Sequence, residues 1–189
     1  MSVIMLKKVR IAFPELFVPK SVNGGEARFG ATFAIEPNSE NAKLIRAEIA
    51  KVAKAKWKEN ADRVLEEIER KDRMTFSERE LTNSEGKIVQ GFADMYFLKA
   101  YNKTRPSVMD KDPRVALIPS DGTPYGGCYV NASVDVYAQA SKDYGNRVNF
   151  TLTGVQFHSD GDAFGGGAPA DPSMFPDLSE SSDEDNEFI

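Results

Sequence analysis

The sequence predicts a mainly β fold, a small antiparallel barrel with one helical insertion, followed by an acidic C-terminal tail. Three observations predict it. Segments of alternating apolar residues occur in both halves of the chain, the apolar spacing becomes helical within about 39–72, and residues 159–189 combine Gly and Pro with acidic side chains. We therefore expect a folded domain at 1–158, containing the insertion at about 39–72, and a disordered tail at 159–189.

Two alternating runs predict the first two strands. The first run should end at Pro14, because proline cannot donate to a strand ladder, and it consists of Val9, Ile11 and Phe13. The turn signal Asn23-Gly24-Gly25 follows, since these residue types tolerate positive φ. The second run then places four apolar residues on one face: Phe29, Ala31, Phe33 and Ile35.

The helical insertion begins where the apolar spacing changes. Asn38 or Ser39 is a suitable N-cap for a helix whose apolar positions are Ile45, Ile49, Val52, Ala53 and Trp57. Asn60 is placed to cap a second helix, with Val64, Leu65 and Ile68 on its apolar face. We expect Trp57 to anchor the core rather than to stack on a ligand, and the many charges of the second helix to face solvent.

The strand pattern returns after Arg73. Residues 74–81 and 87–101 flank a hairpin turn at 83–86, and a later turn at 143–146 precedes a strand with Val148, Phe150 and Leu152. The most regular alternation belongs to Cys128, Val130, Ala132, Val134, Val136 and Ala138. About six strands with one helical insertion suit a small barrel of the oligonucleotide-binding type, although a two-sheet sandwich accommodates the same strands.

Charge divides the chain into two parts. The formal net charge of the whole chain is −5, but residues 159–189 contain nine acidic residues and no Lys or Arg. Residues 1–158 therefore hold 24 basic and 20 acidic residues, a net charge of +4. The chain is thus a mildly basic body joined to a strongly acidic tail, a pattern that the overall net charge conceals. A basic body is compatible with a polyanionic ligand.

Residues 96–105 alternate aromatic and basic side chains on one strand face. Rings on which bases stack and cations that neutralise phosphates are what a single-stranded nucleic acid requires of a binding surface. The exposed face of the strand at 128–138 adds two tyrosines, and nearby loops and strands add three cations. The candidate contacts are Arg28, Phe97, Lys99, Tyr101, Lys103, Arg105, Tyr129, Tyr137, Lys142 and Arg147.

The acidic tail ends in two apolar residues, Phe188 and Ile189. A solubilising tail does not need a terminal ring, whereas a docking peptide uses one to fill a pocket while basic residues around that pocket receive its carboxylates. Here the carboxylates are Asp183, Glu184, Asp185 and Glu187. This arrangement resembles the C-terminal tips of bacterial single-stranded DNA-binding proteins, although in this chain Ile189 follows the ring.

The body carries a second resemblance, in residues 9–14, Trp57 and residues 99–106, 127–138 and 154–157. These segments resemble a phage family long catalogued as a domain of unknown function. The resemblance implies an oligonucleotide-binding fold and single-stranded DNA binding without sequence preference, in phage DNA replication and recombination. We therefore expect the protein to coat and protect the DNA. Because the tail carries nine negative charges on a flexible chain, we also expect it to compete with DNA for the basic face and, once freed, to recruit a polymerase, primase, helicase or nuclease.

An enzyme is not expected, and no cofactor or metal is predicted. The single His158 lies beside a Gly-rich segment, and Cys128 falls on an apolar strand face, so neither is suited to nucleophilic catalysis. Two alternatives stay open: a protein-only adaptor with a docking tail, and a metal-dependent nuclease. The choice between DNA and RNA also stays open, as does homo-oligomerisation. With no apolar leader or membrane-spanning run, we expect the host cytoplasm and no membrane partner.

Overall fold

The computed structural model describes residues 2–165 and 172–176. The described strands are β1 (Ser2–Lys20), β2 (Arg28–Ile35), β3 (Phe76–Ser77), β4 (Tyr96–Asn102), β5 (Ser107–Met109), β6 (Tyr129–Ser141) and β7 (Gly145–Ser159). The helices are α1 (Glu40–Trp57) and α2 (Ala61–Arg70), joined by a 3-10 turn at Lys58–Asn60. Two further 3-10 turns occur at Pro119–Asp121 and Pro172–Met174.

Five strands form a closed barrel in the order β4–β2–β1–β6–β7. Neighbours along this order pair antiparallel, and the barrel closes where β4 meets β7 in parallel, with Tyr101 opposite Thr151. The short strands β3 and β5 add to β4 and β7 from outside this ring. The structure confirms the mainly β barrel with a helical insertion, and the closure excludes the two-sheet sandwich.

Strand β1 is longer than the sequence predicts, and it continues through Pro14 to Lys20. Its pairing register shifts at three places, between Leu6 and Val9, between Ala12 and Glu15, and between Glu15 and Lys20. The first two are bulges with positive φ at Lys8 and Phe13, and β1 pairs with β6 along its first half and with β2 along its second. Pro14 lies within the second bulge, where no ladder hydrogen bond is required of it. The same bulge turns Phe13 outward, so Phe13 is exposed whereas Val9 and Ile11 of the same alternating run are buried.

The helical insertion lies where the apolar spacing predicts it. Helix α1 packs on β1 and β6, while α2 packs on α1 and β7, and their buried residues join the barrel core. Trp57 packs against this core, as expected. Asn60 precedes α2 but makes no side-chain capping bond. Within the described part of the chain, neither these helices nor any other is long and apolar enough to cross a bilayer.

Ser39 caps α1 as predicted. Its Oγ accepts a hydrogen bond from Ala42 N at 3.1 Å and donates one to Glu36 O at 2.6 Å. Replacing Ser39 by Ala leaves one N–H of the first turn without this partner, so we expect the free energy of unfolding to fall by about 1 kcal/mol. Urea unfolding followed by circular dichroism measures this change. Ser39→Asp restores a capping oxygen and should recover most of the loss.

The segment before β4 is less regular than the sequence predicts. The hairpin turn is present, with Asn83 Oδ1 accepting hydrogen bonds from the N–H groups of Glu85 and Lys87, each at 3.0 Å. In place of the predicted strands at 74–81 and 87–101, the structure has the shorter strands β3 and β4. Outside these strands the segment makes the isolated bridges Met74–Val148 and Thr82–Ile88. The reason is that Leu81 and Phe92 pack their side chains on the outside of the barrel instead of extending its sheet.

The chain keeps contact with the barrel beyond His158. β7 ends at Ser159, after which Tyr125 Oη donates to Asp160 Oδ1 at 2.7 Å and Arg10 Nη2 donates to Asp162 O at 2.7 Å. Composition places these residues in the tail, whereas their hydrogen bonds attach them to the folded domain. The terminal acidic and apolar residues of the tail lie outside the described residues.

Candidate nucleic-acid interface

An open groove of about 690 Å³ lies on the outer face of the barrel, over β2 and β4. The β1–β2 connection lines one side of it with Lys20, Val22, Gly25, Glu26 and Arg28. The hairpin before β4 lines the other side with Leu81, Thr82, Asn83 and Val89. Between them are Gly30, Ala31 and Thr32 of β2, Lys99 and Tyr101 of β4, and Phe13 and Glu15 of β1.

Tyr101 presents a ring in this groove. It pairs across the strands with Gly30, and its ring lies so close to the Gly30 backbone that a Cβ atom there would collide with it. The missing side chain of Gly30 therefore gives the ring room to pack against the strand, and Tyr101 stays 39% exposed. Partial burial raises the pKa of the Tyr101 hydroxyl, because burial disfavours the phenolate.

Three predicted cations, Arg28, Lys99 and Lys103, lie in or beside the groove. Lys99 and Tyr101 are two residues apart on β4, so their side chains share its outer face. Lys103 Nζ lies 2.8 Å from Glu26 Oε2, and Arg28 Nη2 lies 3.9 Å from the same atom. The hydrogen bond from Lys103 lowers the pKa of Glu26, with smaller contributions from the charges of Lys103 and Arg28. Glu26 therefore holds two cations at the rim of the groove.

Arg105, which follows β4, does not line the groove. Its guanidinium sits over the Phe17 ring, 5.3 Å from the centroid. Further along β1, Lys20 pairs with Glu15 at 3.5 Å, and both of these residues line the groove. The basic side chains in or beside the groove are thus Lys20, Arg28, Lys99 and Lys103, whereas Arg105 contacts β1.

Phe97 does not present a ring to this surface. Strand alternation predicts it on the same face as Lys99 and Tyr101, which is correct, but its side chain is only 8% exposed. It is covered by Leu81 and Phe92 of the segment before β4, in a second apolar cluster outside the barrel. Burial therefore removes Phe97 from the set of rings available for stacking.

Four other predicted residues lie away from the groove. Tyr129 is partly buried on β6, with Lys8 Nζ 5.8 Å and the Arg10 guanidinium 5.9 Å from its ring centroid. Tyr137, Lys142 and Arg147 belong to the β6–β7 hairpin. Thr151 is the β7 residue beside Tyr101, and Arg147 lies four residues before it, which is about 13 Å along a strand.

The structure adds residues that sequence reasoning missed. Phe13 is 59% exposed and lines the groove together with Val22, Leu81 and Val89. Pro14 next to Phe13 is a signal for a bulge that could have placed this ring outside the core. Leu81 and Val89 could not have been found, because their position depends on how an irregular segment folds over the barrel.

The chain is similar to known proteins both in sequence and in fold. Over residues 1–189 the chain matches a family model described as Enterobacter phage Enc34, ssDNA-binding protein. The chain belongs to this family. One relative is putative protein p50 of Acyrthosiphon pisum secondary endosymbiont phage 1. It is 38% identical over 184 residues, and the match covers 96% of this chain and 97% of p50.

Solved structures of phage single-stranded DNA-binding proteins share the fold. The protein of bacteriophage Enc34 in complex with ssDNA has a TM-score of 0.69 and 25% identity, covering 86% of this chain and 89% of that one. The gp2.5 protein of bacteriophage T7 has a TM-score of 0.54 and 14% identity, covering 88% and 91%, which shows the fold alone. The family and its structural neighbours are therefore phage single-stranded DNA-binding proteins.

Proposed function

We propose that this protein binds single-stranded DNA without sequence preference and coats and protects it during phage DNA replication and recombination. The observation that carries the proposal is the groove that joins the exposed ring of Tyr101 to Arg28, Lys99 and Lys103. Family membership and the resemblance to the Enc34 protein solved with ssDNA support it.

The chemistry of the groove accounts for binding without sequence preference. Stacking contributes about 1–3 kcal/mol per base and works with every base, because each has a π face. Lys and Arg contact phosphates, which are the same at every nucleotide. Phe13, the second exposed ring of the groove, is placed to contact a neighbouring base.

A mobility-shift experiment tests this function. Labelled single-stranded DNA, the matching duplex and RNA of the same sequence are each titrated at two salt concentrations. We expect the single strand to bind best, with weaker binding at the higher salt and similar affinities for oligothymidine and mixed sequences. No shift with any of them contradicts the proposal and favours the protein-only adaptor. Preferential binding of RNA reassigns the ligand, and metal-dependent cleavage of the DNA favours a nuclease.

The same proposal assigns no catalytic role and places the protein in the host cytoplasm. Among the described residues, no group of three or more His, Cys, Asp or Glu side chains is arranged to hold a metal ion.

We place the end of the DNA-binding domain near Phe164 rather than at His158, because hydrogen bonds to the barrel continue to that point. The acidic residues that follow form the tail.

We further propose that the tail serves partners and opposes DNA. A flexible chain of 25 residues, the number that follow Phe164, spans roughly 25–30 Å, enough to bring its charges to the basic face of the same molecule. Charges held so close act at an effective concentration on the order of millimolar. DNA in the groove would then free Phe188 and Ile189 to dock on a polymerase, primase, helicase or nuclease.

Two tail variants separate these roles. Replacing Asp183, Glu184, Asp185 and Glu187 by the corresponding amides should tighten DNA binding at low salt by about fivefold and leave it nearly unchanged at high salt, because ionic competition is screened. Phe188→Ala keeps every charge, so DNA affinity should not change while binding to a purified replication partner is lost. Equal DNA affinity of the amide variant and the wild type at all salt concentrations would refute the competition.

A further inference from the structure

Residues 160–165, which follow β7, form a short strap against the barrel. At its centre Phe164 N donates to Gly126 O at 2.9 Å, and the Arg10 guanidinium lies over the Phe164 ring, 4.4 Å from the centroid. Arg10 also donates to Asp162 O at 2.7 Å and to Gly127 O at 2.9 Å. The strap is thus held to β1 and to the chain just before β6.

The tip of the Phe164 ring contacts the segment that lines one side of the groove. The ring lies directly on the backbone of Gly91, where φ is +86° and a Cβ atom would collide with it. Gly165 N donates to Gln90 Oε1 at 3.3 Å beside it. Phe164 also packs on the outer apolar cluster, which includes Leu81 and Phe92. Residues 81–92 are therefore clasped between this ring and the barrel.

This same segment provides one side of the groove, through Leu81, Thr82, Asn83 and Val89. It has little sheet structure of its own, with the single bridge Thr82–Ile88. Near its ends it is held by a hydrogen bond from Asp94 N to Glu80 Oε1 at 2.7 Å. Its middle is a hairpin with hydrogen bonds of its own, from Val89 N to Leu81 O and from Asn83 N to Lys87 O, each at 2.8 Å. These bonds lie within the hairpin and do not attach it to the barrel. Side-chain packing holds the hairpin against the barrel, and Phe164 supplies the part of that packing that comes from the C-terminal end of the chain.

We propose that Phe164 is a positioning residue for DNA binding: it braces residues 81–92 so that the groove keeps the width a single strand requires. The inference rests on the proposed function. Without the ring, the segment opens more often, and only the closed fraction binds DNA tightly. Because apparent affinity scales with the binding-competent fraction, a closed population of about 10% weakens binding about tenfold.

The test compares Phe164→Ala, Phe164→Leu and Phe175→Ala in the full chain. We expect Phe164→Ala to bind fluorescent oligothymidine about tenfold more weakly and to exchange the amide hydrogens of residues 81–92 faster, while amides in β6 keep their rates. Phe164→Leu keeps an apolar group against the cluster and should bind within about threefold of the wild type. Phe175, exposed and further along the C-terminal segment, should change neither quantity when replaced.

Hydrogen exchange in the free protein tests the brace without DNA. Unchanged exchange of residues 81–92 in Phe164→Ala overturns the proposal. Faster exchange with wild-type affinity also overturns it, because the segment would then not govern the groove. If the wild type itself fails to bind oligothymidine, the proposed function fails and the positioning role fails with it, and the exchange data still show whether the ring clasps the segment.

Discussion

Replacing Tyr101 by Ala should weaken single-stranded DNA binding roughly 5- to 150-fold, the equivalent of about 1–3 kcal/mol for one stacked base. Tyr101 is the ring held on the groove floor by contact with Gly30, so its position is set before DNA arrives. A preordered ring loses little conformational entropy on binding, which is why we expect a large share of the affinity to depend on it. Fluorescence anisotropy with labelled oligothymidine measures the change.

Two controls make this result specific. Tyr101→Phe keeps the ring and its contact with Gly30, so it should bind within about twofold of the wild type. Tyr144→Ala removes a 68% exposed tyrosine from the turn between β6 and β7, away from the groove, and should leave affinity unchanged. Thermal unfolding of each variant shows whether the barrel is intact. Wild-type affinity of an intact Tyr101→Ala protein would contradict the groove as the binding site.

Removing three groove cations together should flatten the salt dependence of binding. Each phosphate contact on a single strand contributes about 0.7 to the slope of log K against log salt, so Arg28→Gln, Lys99→Gln and Lys103→Gln combined should lower that slope by about 2. Affinity at low salt should fall steeply as well. Glu26, which pairs with Lys103 and Arg28 in the wild type, would then face the DNA as an unpaired anion.

The matched control changes the same number of charges elsewhere. Lys54, Lys56 and Lys58 are exposed at the end of α1 and its following turn, and none of them lines the groove. Their triple replacement by Gln should leave the salt slope close to that of the wild type, apart from a small long-range effect. If both triple variants lose the same slope, the net charge of the body and not the groove determines binding.

Much of the fold could be predicted from local pattern. The strand around Val130 and Val134 and the helix capped by Ser39 appear where periodicity and capping chemistry place them, because these signals depend on neighbouring residues. The strand endings were less predictable. Pro14 ends a strand by local rules, yet a bulge lets β1 continue past it to complete the barrel.

The candidate site was predicted only in part. Alternation along β4 correctly assigns Lys99 and Tyr101 to one outward face. Arg28 was proposed as a contact because of its charge, and it lies at the edge of the groove. Alternation cannot tell whether an outward face meets solvent. Phe97 shares the face of Tyr101 but is buried, because residues distant in the chain, Leu81 and Phe92, fold over it.

The acidic tail and the basic body are properties of the sequence by itself, since charge is counted without coordinates, and so are the strand and helix periods and the family. Tertiary structure alone decided which rings are exposed, which cations converge, and which residues after β7 contact the barrel. Composition puts Phe164 in the tail, while its ring contacts Arg10 and Gly91. The physical reason is that accessibility and convergence depend on contacts between residues far apart in the chain, which no local pattern encodes.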